Sequence, residues 1–185
     1  EQIYEDNPLP EVCGRVCTHT CEGVCAISHR GEAVSIRWLK RYAVDNVDSA
    51  DYKKVLGTEK IEQNNKKVAV VGAGPAGLSA AHYLSVMGYQ ITVYEDKEKA
   101  GGMMRYGIPE YRLPYDALDK DINYIKSLGV DFVFNTRVGE DITLNELHEQ
   151  YDAVFSSTGL HNGRSTRVPG TDNNNVYQAV NLLAD

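Results

Sequence analysis

In the last two-thirds of the chain, short apolar runs alternate with longer segments that have helical periodicity. The runs KKVAVVG, YQITVYE, VDFVFNT and YDAVFSSTG predict four strands, the first of them a β-branched run of the kind that is buried in a parallel sheet. Between them, Leu118, Ile122 and Ile125 fall on one face of a predicted helix. Because strands and helices alternate, this region is expected to be α/β, a Rossmann-like domain with a parallel sheet.

The pattern divides the chain into three parts. Residues 1–50 are predicted to form a small, mostly helical, cysteine-bearing domain. Residues 51–65 are polar and aperiodic and are interpreted as a linker, which leaves 66–185 as the α/β domain.

One helix in the first part has an apolar spacing of i, i+3, i+7. Its residues Ile36, Leu39 and Ala43 are predicted to face inward, with the basic residues between them facing away.

Composition and charge exclude some classes of protein. The 185 residues are 42% hydrophobic, which is enough for a packed core, and the net charge of −7 argues against nucleic acid as a partner. No apolar run approaches the roughly 20 residues that a membrane span needs. The chain starts at Glu1 without a methionine and ends in mid-pattern, so we expect a piece of a longer protein.

All four cysteines lie within 13 residues, at C-x3-C spacing: Cys13, Cys17, Cys21 and Cys25. Such clustering favours metal or redox chemistry in a reducing compartment, for which the cytoplasm is the expectation. Alternatives are a four-cysteine zinc site, three thiols joined by His19 or His29, and incidental or disulfide-paired cysteines. The usual zinc module has C-x2-C pairs instead.

The segment VAVVGAGPAGLSAAHYLSVMGYQITVYE carries a dinucleotide-binding fingerprint, with Gly72, Gly74 and Gly77 as its glycines and Glu95 as its acid. The first glycine permits a tight turn, the second lets the backbone approach a pyrophosphate, and the third allows close helix–strand packing. Pro75 suits the first helical turn, whose free N–H groups attract phosphate. Glu95 is placed to bind ribose hydroxyls and to repel a 2′-phosphate. A turn that served only packing would not explain this acid.

Two later features make a resemblance specific. Gly101 and Gly102 follow the acid, and a late strand ends at Thr158-Gly159. With these features the chain resembles the two-dinucleotide-binding flavoprotein family. The resemblance implies that FAD is the ligand, that the paired glycines pass along its phosphate and ribityl chain, and that Val138 meets its adenine.

The cysteine string before the fingerprint and GGMMRYGIPEYRLP after it narrow the resemblance. The chain is similar to the small subunit of NADPH-dependent glutamate synthase and related FAD/iron–sulfur oxidoreductases. This resemblance implies that NADPH reduces FAD, which passes electrons through 4Fe–4S clusters to a redox partner subunit or domain. The NADPH-binding domain would follow the exit at Arg164 and is missing from the sequence.

The resemblance also implies how the cysteines are used. Cys17 and Cys21 would bind one cluster and Cys25 the other, with Cys13 as a further candidate. Their partner thiolates would come from an upstream cysteine string, so the chain alone is not expected to assemble the clusters. Lys40 stands where some relatives have a glutamine or glutamate ligand, a role that an ammonium group cannot fill.

No acid–base pair or nucleophilic triad stands out, which fits a protein whose chemistry belongs to cofactors. Two other hypotheses remain: a non-catalytic FAD- or nucleotide-binding module that docks a redox partner, and a dehydrogenase that binds NAD at the fingerprint.

Arg105, Tyr106 and Gly107 are expected near the isoalloxazine. The residues expected to bind the cofactor are Gly72, Gly74, Pro75, Ala76, Gly77, Glu95, Gly102, Arg105, Tyr106, Gly107, Val138, Thr158 and Gly159.

Overall fold

Four parallel strands form a single sheet. They are β1 (Lys67–Val71), β2 (Gln90–Tyr94), β3 (Asp131–Val133) and β4 (Ala153–Ser156). Their order across the sheet is β3-β2-β1-β4. The computed structural model, which describes residues 2–164 and 166–184, therefore confirms the predicted α/β fold.

The helices fall between the strands and before them. In chain order they are α1 (Gln2–Asp6), α2 (Pro10–Val16), α3 (Thr20–Gly23), α4 (Ile36–Asp45), α5 (Tyr52–Val55), α6 (Pro75–Val86), α7 (Met103–Tyr106), α8 (Tyr115–Ser127), α9 (Leu144–Gln150) and α10 (Ala179–Ala184). Short 3-10 helices span Ala26–His29 and Ser49–Asp51.

Both faces of the sheet are covered. On one face Val68 and Val70 of β1 pack with Leu78 of α6 and with the predicted inward face of α8, Leu118 and Ile125 included. The opposite face forms a smaller cluster with α9. Burial on both faces explains why β1 is almost entirely apolar, as parallel strands usually are.

The predicted inward face of α4 is wrong. Leu39 is 60% exposed and Ala43 is also exposed, whereas Val44 is buried and Arg41 packs against α2. Gly14 of α2 makes room for this arginine, since a Cβ added there would lie 3.2 Å from the Arg41 Cβ. The helix therefore packs through the aliphatic stem of a basic residue, which apolar spacing does not reveal.

The proposed linker also differs from the structure at its start. Residues Tyr52–Val55 form α5, and the Tyr52 ring is buried. Its centroid lies 5.3 Å from that of Tyr4 and 5.7 Å from that of Tyr124 on α8. This aromatic cluster joins the start of the chain to the α/β region.

A buried carboxyl group also joins these regions. Asp121 of α8 accepts hydrogen bonds from the Val12 N–H at 3.1 Å and from the Glu11 N–H and the Tyr4 hydroxyl at 3.4 Å. These N–H groups belong to the first turn of α2, where helix donors lack internal partners. Asp121 of α8 thus caps the N-terminus of α2. Burial raises the pKa of Asp121 to about 8.

We predict that Asp121→Ala lowers the free energy of unfolding by about 1–3 kcal/mol, because buried donors lose their acceptor. Asp121→Asn keeps one acceptor oxygen and should cost less. Folding raises the pKa of Asp121 from 3.8 to about 8, so its contribution to stability falls as pH rises between these values. Urea unfolding at about pH 5 and about pH 8 measures the effect.

The pH-dependent difference in stability between the parent chain and Asp121→Asn is the decisive quantity. Asp131→Asn, at an exposed position where β3 begins, serves as the control. A parent chain that gains stability over Asp121→Asn as pH rises would contradict the proton uptake.

Candidate dinucleotide-binding site

A cleft of about 460 Å³ lies at the carboxyl ends of β1, β2 and β4. In doubly wound folds ligands bind outside these ends, where the strand order switches direction. The volume falls within the range of about 300–1,000 Å³ that is common for small-molecule sites. Nine of the predicted cofactor residues line it: Gly72, Gly74, Pro75, Ala76, Glu95, Gly102, Val138, Thr158 and Gly159.

Two of the three fingerprint glycines, Gly72 and Gly77, are required by the backbone geometry. Gly72 has a φ of +98°. A Cβ added to Gly77 would lie 1.9 Å from the carbonyl oxygen of Gly72. Gly77 therefore supports the cleft from behind rather than lining it, by letting α6 approach β1. In front, a Cβ on Gly102 would lie 2.7 Å from the Gly74 Cα.

The start of α6 opens into this cleft. Gly74 is the N-cap residue and has no side chain with which to accept the N–H groups of the first turn. Pro75 and Ala76 are exposed there and line the cleft. The positive end of the helix dipole and its free N–H groups thus form a cradle suited to phosphate oxygens.

Glu95 lies at the edge of the same cleft and is held rigidly. Its carboxylate accepts hydrogen bonds from the Ala73 N–H at 2.7 Å and the Lys97 N–H at 3.1 Å, and the residue is only 6% exposed. Burial raises its pKa and neighbouring Asp96 raises it further, while the two N–H groups oppose the shift. Each carboxylate oxygen has a second lone pair, so Glu95 is able to accept hydroxyl groups of a ligand as well.

Arg105, Tyr106 and Gly107 do not line the cleft in the described part of the chain. The Arg105 side chain is buried against α8, and the Tyr106 hydroxyl donates to the Lys99 carbonyl at 3.3 Å. Gly107 ends α7, where an added Cβ would lie 2.1 Å from the Met103 Cε. The segment folds back on itself to form α7 and lies outside this cleft, and its expected place near the isoalloxazine stays a prediction.

The four cysteines are all unpaired. The Cys17 Sγ accepts the His19 N–H at 3.3 Å, and the Cys13 thiol donates to the Asn7 side chain at 3.7 Å. Burial raises the pKa of Cys13, whereas the pKa of Cys25 is lowered by backbone N–H groups, chiefly that of Val34.

The thiols do not form a complete metal site. Among residues 2–164 and 166–184, no three Cys, His, Asp or Glu side chains converge into a group that could hold a metal ion. This arrangement does not support a four-cysteine zinc site or its variant with a histidine.

None of the helices in the described ranges is long and apolar enough to span a bilayer.

Two family models match separate parts of the chain. The family described as dihydropyrimidine dehydrogenase domain II, 4Fe-4S cluster matches residues 1–52, and the NAD(P)-binding Rossmann-like domain family matches residues 70–120. The chain is 46% identical over 173 residues to the NADPH-Fe(3+) oxidoreductase subunit beta of Geobacter sulfurreducens. It is 38% identical over 183 residues to the glutamate synthase (NADPH) small chain of Bacillus subtilis.

The homologues of this chain at 34–46% identity are glutamate synthase small chains and related NADPH-dependent oxidoreductase subunits. The alignments cover 92% and 99% of the chain but only 25% and 37% of these two relatives. Among solved structures, FprA from Mycobacterium tuberculosis superposes with a TM-score of 0.57 at 24% identity, over 64% of this chain and 28% of that one. At that identity the likeness concerns the fold.

Other residues that the sequence did not predict also line the cleft. Ser157 donates from its hydroxyl to the carbonyl oxygens of Val71 at 2.9 Å and Gly72 at 3.1 Å, which ties the end of β4 to the glycine turn. Its position in the sequence, directly before Thr158-Gly159, is the feature from which its place in the cleft could have been predicted. The remaining unpredicted polar residues of the lining are Asp96, Thr136, Arg137, His161 and Asn162.

We predict that Gly102→Ala impairs dinucleotide binding by about tenfold or more, because the new Cβ would push the Gly102 and Gly74 backbones apart. Gly57→Ala is a matched control. It has a similar φ, +66° against +51°, but faces open space. Both variants place an alanine at a positive φ, which strains the backbone whatever the space around it. Titration with FAD and NAD, followed by fluorescence, should therefore separate them, and equal affinities would contradict the cradle.

Proposed function

We propose that the chain is the FAD-binding part of an NADPH-dependent oxidoreductase similar to the glutamate synthase small chain. The observation that carries this proposal is the joint presence of a bare helix N-terminus and a fixed carboxylate in one cleft. The first suits a pyrophosphate and the second a ribose. Homology to subunits of NADPH-dependent oxidoreductases supports the same conclusion.

Different residues of the cleft would bind different parts of the FAD molecule. Gly74 and Ala76 would bind the pyrophosphate, Glu95 the adenosine ribose, and Val138 the adenine. Thr158 and Gly159 would contact the flavin side of the molecule. When bound, FAD supplies the chemistry of accepting two electrons from a nicotinamide and releasing them singly.

The charge of Glu95 favours FAD over NADPH in this cleft. A buried carboxylate beside the ribose would repel a 2′-phosphate, and the energy of that repulsion is large where water is excluded. We therefore assign the NADPH-binding function to a different region of the longer protein. The substrate that finally receives the electrons is a property of that protein as well.

For the cysteines we propose a role as partial ligands. Cys17, Cys21 and Cys25, with Cys13, would donate thiolates to 4Fe–4S clusters, as the match of residues 1–52 supports. The thiols do not converge, so further ligands would have to come from another segment or subunit. The proposal includes a redox partner subunit or domain and a reducing, cytoplasmic location.

We predict that Glu95→Ala weakens FAD binding by about 1–3 kcal/mol through the loss of a charge-assisted hydrogen bond. Glu98→Ala is the control, since Glu98 is exposed in the following loop. Quenching of flavin fluorescence gives both affinities, and NAD is added as a competitor. Unchanged affinity for Glu95→Ala would remove Glu95 from the ribose role, and displacement of FAD by NAD would favour a dehydrogenase.

For the cysteines we expect anaerobic treatment with iron and sulfide to leave the chain without a stoichiometric cluster. The reason is that its thiols do not supply four converging ligands. Iron and sulfide analysis, with absorption and EPR spectra, measures the result. Four iron atoms bound per chain, abolished in Cys17→Ser, would show that the chain completes a cluster alone.

A further inference from the structure

We propose that Arg105 is a positioning residue, which holds the Gly101–Gly102 segment against the start of α6 and so shapes the pyrophosphate-binding end of the cleft. The inference rests on the proposed function and deepens it. It assigns a task to a side chain that lies behind the cleft rather than in it.

The segment that needs to be held consists of two glycines. Gly101 and Gly102 have φ values of +133° and +51°, and neither has a side chain to anchor it. On the cleft side, the Gly101 N–H donates to the Ala73 carbonyl at 2.9 Å, and Gly102 lies directly against Gly74. Glycine has the largest conformational freedom of any residue, so contacts from outside must fix this geometry.

Arg105 makes such contacts with three consecutive residues. Its Nε donates to the Ala100 carbonyl at 2.7 Å, and its backbone N–H donates to the Gly102 carbonyl at 3.0 Å. Between these bonds, its side chain packs on Gly101, where an added Cβ would lie 2.9 Å from the Arg105 Cβ. One residue thus contacts the segment along its whole length.

Arg105 is itself fixed by α8. Its guanidinium forms an ion pair with Asp119 and lies 5.1 Å from the centre of the Tyr115 ring. The side chain is only 7% exposed. A planar guanidinium is able to bond a carbonyl and a carboxylate at the same time, in fixed directions, whereas a lysine ammonium lacks this geometry.

The position of the segment predicts a selective effect on ligands. Gly102 faces Gly74 at the helix N-terminus, the place proposed for the pyrophosphate, whereas Glu95 is fixed by Ala73 and Lys97 without any contribution from Arg105. Loss of the arginine should therefore weaken ligands that contain a pyrophosphate. Adenosine, which has no phosphate, should bind as before.

The test compares Arg105→Met, which keeps an unbranched apolar stem, with Arg105→Lys and with Arg15→Met. Arg15 is a matched control on α2. Its side chain is 12% exposed, it bonds the Glu11 carbonyl at 3.0 Å, and it pairs with Glu11 at 2.7 Å and with Asp45 at 2.8 Å. Both methionine variants lose a partly buried ion pair, so general destabilisation affects both.

We expect Arg105→Met to weaken FAD binding by about tenfold and adenosine binding not at all, with Arg105→Lys recovering little of the loss. Arg15→Met should bind both ligands as the parent chain does. Hydrogen exchange should quicken at the Gly101 amide in Arg105→Met while the amides of the sheet stay protected. Should Arg105→Met fail to fold, Asp119→Asn tests the same positioning role by removing the ion pair of Arg105. It should show a smaller loss of FAD affinity.

The outcomes separate this inference from the proposed function. A parent chain that binds no FAD overturns the proposed function, and the role of Arg105 with it. If the parent chain binds FAD and Arg105→Met binds it equally well, only the positioning role is overturned. Equal losses for FAD and adenosine, or a loss matched by Arg15→Met, would also overturn it, because they would reflect general destabilisation.

Discussion

The approach of α6 to β1 depends on one contact, between Gly77 and the carbonyl oxygen of Gly72. A Cβ at Gly77 would lie 1.9 Å from that oxygen, so any other residue would move the helix away from the sheet. The same turn receives the Ser157 hydroxyl from the end of β4. A single backbone turn thereby fixes the helix N-terminus, the strand ends and the mouth of the cleft relative to one another.

The helix α8 connects this cleft to the cysteine-bearing region. Three consecutive residues contribute: Asp119 pairs with Arg105 behind the cleft, while Lys120 and Asp121 contact the buried Glu11 and the backbone of α2. Because each of these contacts is directional and includes a buried polar side chain, together they specify one arrangement rather than a range of packings. The region with the thiols and the region with the glycines are held by opposite sides of the same helix turn.

Local patterns were sufficient to predict the strands, the buried face of α8 and the cleft residues of the fingerprint. The signals for the strands and for α8 lie within a few residues of the positions concerned, and that for Glu95 lies in its spacing from the glycines of the same strand–helix–strand unit. The orientation of α4 was not predictable in this way, because it depends on Gly14, a residue 27 positions before Arg41.

The partner of Arg105 was not predictable for a related reason, because Asp119 lies on a different helix. Long-range partners of charged side chains leave no periodic trace in the sequence, and Asp121 as a cap for α2 is a further example.

The way in which Glu95 is held has a consequence for the empty protein. Its carboxylate has already lost most of its water when the chain folds, and only two amide groups compensate. The cost of that dehydration is therefore met during folding, before any ligand arrives, and an arriving sugar finds an ordered acceptor. Evolution toward greater heat resistance and evolution toward tighter ligand capture would pull this position in opposite directions.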